Sequence, residues 1–414
     1  MATIKPFKGV RPQVEYVKDI AALPYDVYSS LEAREVVADK PLSFLKIDRA
    51  ETFFSEDVDL HSLQVYEKAR DTLYNMMDEG YFVQDAEPCF YIYQLTMDQR
   101  TQTGLVACTS IDEYLNNTIK KHELTRADKE MDRIQHVDTC DANTGPIFMT
   151  YQAEAKINKI VENWKTHHQP LYDMIAEDGI GHVVWRLEDP VSIEQLVSAF
   201  KGVPSLYIAD GHHRAASAVK VGQKRREAFP NYSGNEEFNT FLSVIFPHDQ
   251  LKIMDYNRVI KDLNGLTPEA YLEEVKNKFN LLKTSHTAIK PTEKGTFGMF
   301  LEGEWYLLGI KEGTYSEADP VLSLDVSILQ LNLLAPILGI GDPRTDRRID
   351  FVGGIRGLGE LEKRVNEDMM VAFAMFPTSL EELMKIADAD ELMPPKSTWF
   401  EPKLRSGLFI HLLK

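Results

Sequence analysis

The chain has 414 residues, with 46 Lys plus Arg against 64 Asp plus Glu and a formal net charge of −18. That imbalance argues against a general nucleic-acid binder, which needs a net basic surface for phosphate backbones. No stretch approaches the ~18 uninterrupted apolar residues of a membrane span, and the 43% hydrophobic content is that of an ordinary globular chain with room for two or three domains.

In chain order, IAALPYDVYSSLEAREVVADKP reads as a short strand or loop followed by a helix. Ser29 lies three residues before Glu32, the spacing of a capping box. Leu63, Tyr66, Ala69, Leu73 and Met76 keep helical spacing between Leu60 and Gly80, with Gly80 as the stop. FYIYQLTM and LVACTSIDEYL, joined by the polar DQRTQTG, read as a hairpin. A charged segment, KKHELTRADKEMDRIQHVDTCDANTGP, follows. Residues 153–177 read as helical with a break near Pro170. HVVWRLE then reads as a strand, SIEQLVSAF as a helix and SLYIAD as a strand. After Pro230 come strand SVIFP, helix PEAYLEEVKNKF, a hairpin turning at Glu302-Gly303, and helix LDVSILQLNLLAPILGI. The tail holds FVGGIRGLGELEKRV, strand VAFAMF, helix SLEELMKIADA and PPKSTWFEPK.

Strands and helices mix without strict alternation, which predicts an α+β fold. The expected division is an N-terminal region over 1–150, a core over 151–250 and a C-terminal region over 251–414. Cys89, Cys108 and Cys140 are sparse and show no CxxC spacing, as in a reducing compartment. The N-terminus MATIKPFKGVRP lacks a signal-peptide pattern. A cytoplasmic protein is expected, with a homodimer as the default assembly.

The densest chemistry is in LYIADGHHR, residues 206–214. Asp210 ends a strand, Gly211 permits a sharp turn, and His212, His213 and Arg214 fall in the first turn of the next helix. Free backbone N–H groups there suit an anion, and Arg214 adds a planar clamp for phosphate or carboxylate. Asp210 can take a proton or hold magnesium. The bland alternative makes Asp210 a cap and the histidines surface groups. However, three potentially cationic side chains at a helix N-terminus oppose local propensity, a conflict typical of functional sites. A zinc site is disfavoured, because neighbouring helical side chains diverge by ~100° and no HxxxH or HExxH spacing occurs.

The second dense stretch holds His122, Glu123, Arg126, Lys129 and Arg133. If it is helical, Glu123, Arg126 and Glu130 share a face; the alternative is a solvated charged helix. Asn143, Gly145 and Pro146 form a turn able to approach a ligand. Asp26, in PYDV, precedes a helix start and reads first as a cap. FVGGIRGLGEL is neither GxGxxG nor a Walker loop. Lys396 and Ser397 follow two prolines in PPKST. Signatures of the common hydrolases and protein kinases are absent.

Taken in order, PYDV, KHELTR, ANTGPI, WRLED, ADGHHR, YNRVIKDL, LDVSIL and PPKSTWFEPK make the chain resemble, from Pro6 to Leu413, the bacterial domain-of-unknown-function family 1015, described as serine-kinase-like. The resemblance implies a ParB/sulfiredoxin-like core around DGHHR, with that segment as a phosphate-binding turn. It also implies a small-molecule phosphotransferase, related to the archaeal free-serine kinases, acting on free serine with ADP or ATP and Mg2+. No cysteine lies beside ADGHHR, so sulfiredoxin chemistry is not implied. On this reading Asp210 holds magnesium, Gly211 and Arg214 cradle phosphates, and Asp26 or Glu123 takes the hydroxyl proton. His122 and Arg126 position the substrate's carboxylate or the transferring phosphate, and Asn143, Lys396 and Ser397 are further ligand-binding candidates. Alternatives are a phosphatase acting on phosphoserine, with His212 or His213 as nucleophile or general acid, and a non-catalytic sensor of an anionic metabolite.

Overall fold

The computed structural model describes residues 1–414. The chain is α+β, and its backbone contacts separate it into two units, Met1–Leu251 with Pro402–Lys414, and Lys252–Glu401. The sequence reading placed divisions at 150 and 250. The strand over 147–151 runs inside the first unit's sheet, hydrogen-bonded on both sides, so the sheet is continuous through the first of these points.

The first unit is built on a nine-stranded mixed sheet. Its strands are β1 (Ile4–Lys5), β2 (Phe90–Met97), β3 (Arg100–Ser110), β4 (Ile119–Lys120), β5 (Ile147–Tyr151), β6 (Tyr172–Ile175), β7 (Gly181–Leu187), β8 (Leu206–Asp210) and β9 (Thr240–Pro247). They lie in the order β4-β8-β5-β9-β3-β2-β7-β6, with β1 on β3. Pairing is parallel for β4/β8 and β5/β9 and antiparallel elsewhere. The central strands are buried on both faces and read as apolar runs: Phe90, Ile92, Leu105, Ala107, Ile147, Met149, Leu206, Ile208, Phe241 and Ile245 share one core. Helices α1 (Leu63–Asp78), α2 (Ala127–Cys140), α3 (Ala155–His167), α4 (Pro190–Phe200) and α5 (His212–Ala228) belong to this unit.

Several local expectations hold for their stated reasons. Ser29 and Glu32 make the reciprocal capping box of the helix over 30–37, and Gly80 follows α1 at φ +83°. The β2/β3 hairpin forms, but its turn is shorter than the polar run suggested. Asp98 and Gln99 alone make the turn, both at positive φ, as a two-residue hairpin turn of this hand requires. Residues 100–104 belong to β3, where buried Thr103 donates its N–H to Gln250 Oε1 at 2.7 Å; polar composition there reflects side-chain pairing rather than a loop. Residues 153–177 split into α3 and β6 at Pro170.

The second unit carries a six-stranded, wholly antiparallel sheet. It comprises β10 (Tyr256–Ile260), β11 (Phe279–Ser285), β12 (Thr296–Leu301), β13 (Glu304–Ile310), β14 (Ile349–Gly353) and β15 (Val371–Ala374), in the order β11-β13-β12-β15-β10-β14. The expected turn at Glu302-Gly303 joins β12 to β13, both residues at positive φ. The apolar segment LDVSILQLNLL is α-helical only over Asp325–Leu329 and continues as a π-type turn over Gln330–Leu334. In FVGGIRGLGEL, a Cβ at Gly354 would lie 2.6 Å from the Asp255 carboxyl group, so this glycine serves close packing.

Candidate functional site

The geometry of the site follows from the parallel pairing of β4 and β8. Lys120 is opposite Tyr207, so both strands end at the same edge of the sheet. The chain leaving β4 places His122 and Glu123 where the chain leaving β8 begins α5. Strand β5 is antiparallel to β8, with Phe148 opposite Asp210, so the segment before β5 stands at that edge too, Asn143 ending a short strand paired to His411 and Thr144–Pro146 leading into β5. A register shift between Ile208 and Asp210 is a bulge that re-aims the end of β8.

Gly211 caps α5 at φ +94° and ψ +32°, a conformation that L side chains enter only with strain. It leaves no capping side chain, so the first-turn N–H groups of α5 lack intrahelical partners. Arg214 folds back over this glycine and donates from Nη1 to Pro146 O at 2.6 Å. Asp210 Oδ2 accepts from Lys403 Nζ at 3.0 Å. Burial alone would raise the Asp210 carboxyl, but Lys403 and Arg214 outweigh it and hold the group below the usual carboxylate range.

A narrow cleft opens beside Arg214, lined by Tyr25, Asp48, Arg133, His136, Asn143, Thr144, Gly145 and Ser406 among others. Its free interior is about 20 Å³, space for about one water-sized group. Two guanidinium groups, Arg133 and Arg214, reach it. Arg133 is 7% exposed, lies over the Tyr25 ring at 4.2 Å and is paired to Asp132 at 2.8 Å. Across from them, Asp48 Oδ1 accepts from Thr144 Oγ1 at 3.0 Å, and Thr144 Oγ1 lies 3.2 Å from His136 Nε2. Burial pushes the Asp48 carboxyl up, against the opposing pull of Arg133, Ser406 and Thr144. His136 is pushed down to about 3 by burial and by Arg133, so its ring is neutral.

The two histidines of the turn diverge, as the spacing implies. His213 Nε2 accepts from the Arg126 N–H at 3.0 Å. Burial lowers His213, with Asp26 and Glu130 pulling the other way. His212 turns inward against His122, with ring centroids 4.5 Å apart at 87°, and its Nδ1 is 3.8 Å from Glu123 Oε2. Burial pushes His122 down to about 4 and His212 well below the usual histidine range.

Among the residues singled out from sequence, His122, Glu123, His212, Asp210, Gly211, Arg214 and Asn143 therefore gather at one edge of the first unit's sheet. Asp26 is exposed, within a short helical turn over Tyr25–Val27, and the helix after it is capped by Ser29. Arg126 is the residue before α2 and is salt-bridged to Asp128 at 2.8 Å. Glu123 precedes that helix, so the shared face with Arg126 and Glu130 does not form. Glu130 instead accepts from Thr125 at 2.6 Å and pairs with Lys220. Lys396 and Ser397 belong to the second unit, where Lys396 O accepts from Arg258 Nη2 at 3.0 Å and Ser397 Oγ donates to Pro394 O at 2.6 Å.

Asp48, Thr144, Lys403 and the place of Arg133 in the cleft are not legible in the sequence. The one available signal was Arg133 itself, a charge on the same face of α2 as Val137 and Cys140.

The family model for proteins of unknown function DUF1015 matches residues 4–327. The chain belongs to that family. No curated protein matches it. Among solved structures, it is similar to a mutant free serine kinase in complex with ADP, at 14% identity and a TM-score of 0.35, covering 75% of this chain and 93% of that one. It is also similar to SbnI with C-terminal truncation from Staphylococcus aureus, at 13% identity and a TM-score of 0.37, covering 74% and 87%. A conserved hypothetical protein from Pyrococcus furiosus shows 14% identity and a TM-score of 0.33, covering 73% and 95%. Overlap this loose transfers neither residue roles nor activity. No helix of the DUF1015 chain is long and apolar enough to cross a membrane.

Proposed function

We propose that this DUF1015 protein is a small-molecule phosphotransferase acting on the hydroxyl of free serine, with ADP or ATP as phosphoryl donor, in the manner of the serine-kinase-like proteins it resembles. The observation that carries the reading is the convergence of two guanidinium groups, Arg133 and Arg214, on one cleft with a buried carboxyl group, Asp48. Phosphoryl transfer asks for positioned positive charge and a base near the attacking hydroxyl rather than for a covalent intermediate. Arg214 and the first-turn N–H groups of α5 would bind a phosphate, with Gly211 allowing the approach. Asp48, raised by burial, is suited to accept a hydroxyl proton, and Thr144 orients it. Asp26 and Glu123, the bases expected from the sequence, stand outside this cleft's lining.

Magnesium belongs to this reading as the companion of nucleotide phosphates. Asp210, expected to hold it, is already ion-paired to Lys403, so the residues present offer no ready ligand set, and Asp210 is read as a positioning residue for Lys403 and Arg214. The cleft holds about 20 Å³, far below the ~300 Å³ or more of a small-molecule site, so the reading requires the Thr144–Pro146 segment or Tyr25 to move outward when ligand binds.

The test is incubation of the protein with serine, Mg2+ and either ADP or ATP, with phosphoserine measured directly. Phosphoserine formation that needs nucleotide supports the proposal. Release of inorganic phosphate from phosphoserine without nucleotide would replace it with a phosphohydrolase, and thermal stabilisation by phosphoserine without any product would replace it with a sensor.

A further inference from the structure

The pair His122 and His212 has no role in the cleft chemistry above, yet both rings are buried, 2% and 5% exposed. Neither ring nitrogen of His122 has a hydrogen-bond partner, nor does Nε2 of His212. The backbone of Ile208 approaches the His122 ring without meeting hydrogen-bond geometry. Buried polar groups are ordinarily paired, and three orphan nitrogens on two touching rings are a strong departure. Glu123 stands beside them, and one ligand atom from each of His122, Glu123 and His212 lies within 4.8 Å of the others.

We infer that His122, Glu123 and His212 form a binding site for a divalent transition-metal ion of the zinc class. Two imidazoles and one carboxylate are the ligands such an ion takes, at about 2.0–2.2 Å. A tetrahedral set at that range needs ligand atoms about 3.4 Å apart, so modest side-chain rotation closes the site. Magnesium is the wrong ion, since it demands oxygen ligands and keeps its waters. His212 and His213 do diverge, as the sequence spacing against zinc implies; the second imidazole comes instead from His122, brought from 90 residues earlier by the parallel pairing of β4 with β8. Three protein ligands leave the fourth tetrahedral position open, for water or an oxyanion. The site stands on its own residues and does not depend on the phosphotransferase reading.

The experiment uses the full chain, freed of metal with a chelator and dialysed. Zn2+, Co2+ and Mg2+ are titrated separately, and bound metal per chain is measured by elemental mass spectrometry. The expected result is one Zn2+ per chain, one Co2+ per chain with the intense visible absorption of a tetrahedral ion, and no comparable retention of Mg2+. Glu123→Gln, at a half-buried position, should weaken Zn2+ binding at least tenfold, and His212→Gln should abolish the Co2+ spectrum. A wild-type chain that retains no Zn2+ overturns the inference. So does Zn2+ binding with unchanged affinity in both variants, since the ion would then be elsewhere. Near-ultraviolet circular dichroism of each variant identifies any that misfold, and Glu123→Gln alone decides the matter if His212→Gln does.

Discussion

Replacing Gly211 with alanine tests the link between the strand end, the helix start and Arg214. Gly211 sits at φ +94°, and placing a non-glycine residue in a left-handed conformation costs about 1–2 kcal/mol. The new methyl group would lie 3.1 Å from Arg214 Nη2 and 3.2 Å from Cζ and Nε. The guanidinium cannot retreat freely, because Nη1 is bonded to Pro146 O at 2.6 Å. A hydrogen bond from a charged group contributes about 1.5–3 kcal/mol, and a displacement of a few tenths of an ångström forfeits part of it. The combined loss is about 2–4 kcal/mol, which for a unit of this size is a fall in melting temperature of roughly 5–15 °C. Urea unfolding followed by near-ultraviolet circular dichroism measures the first quantity and differential scanning calorimetry the second. On the proposed phosphotransferase reading, ADP affinity, by titration calorimetry, should fall about tenfold or more as Arg214 leaves its place. Gly211→Ala that unfolds within about 0.5 kcal/mol of the wild type and binds ADP equally well would refute both the strain argument and the placement of Arg214.

Three further outcomes follow from the same geometry. Asp48→Asn should lower the rate of phosphoserine formation by about 10²–10⁴-fold with little change in KM; steady-state kinetics decides it, and an unchanged kcat removes Asp48 as the base. Ile208→Ala, at a fully buried position of β8, should destabilise by about 2–5 kcal/mol, read from urea midpoints at constant slope. In the second unit, Asp325 is pushed up to about 7 by burial, although Gly295 N–H bonds both its oxygens. Its folded value exceeds its unfolded one, so its contribution is fully present below about pH 4 and is lost as pH rises towards 7. The span of about three units amounts to about 4 kcal/mol. Wild type minus Asp325→Asn stability, measured from pH 4 to 8, should fall by an amount of that order and level off above 7; a flat difference rules the effect out.

The α+β class, the hairpin at Glu302-Gly303, the Ser29 capping box and the strand-to-helix turn at ADGHHR were legible in the sequence, because each depends on residues within a few positions of one another. Periodicity marks which face of an element is apolar, and glycine marks where the backbone must turn. The prominence of Asp210 to Arg214 also showed itself locally, as charge crowded at a helix start against propensity. What that charge faces was decided by tertiary structure. Lys403 reaches Asp210 across 193 positions of the chain, His122 meets His212 through the parallel pairing of two strands, and Asp48 meets Thr144 across 96. Such partners leave no local trace, since pairing between distant strands follows from the packing of whole faces rather than from any short motif. The sequence by itself therefore determined where the sheet ends and the glycine-capped turn into α5 begins. Only the folded edge, where β4, β8 and the segment before β5 come together, decided which carboxyl group stands opposite the arginines and which two histidines face each other with three ring nitrogens unpaired.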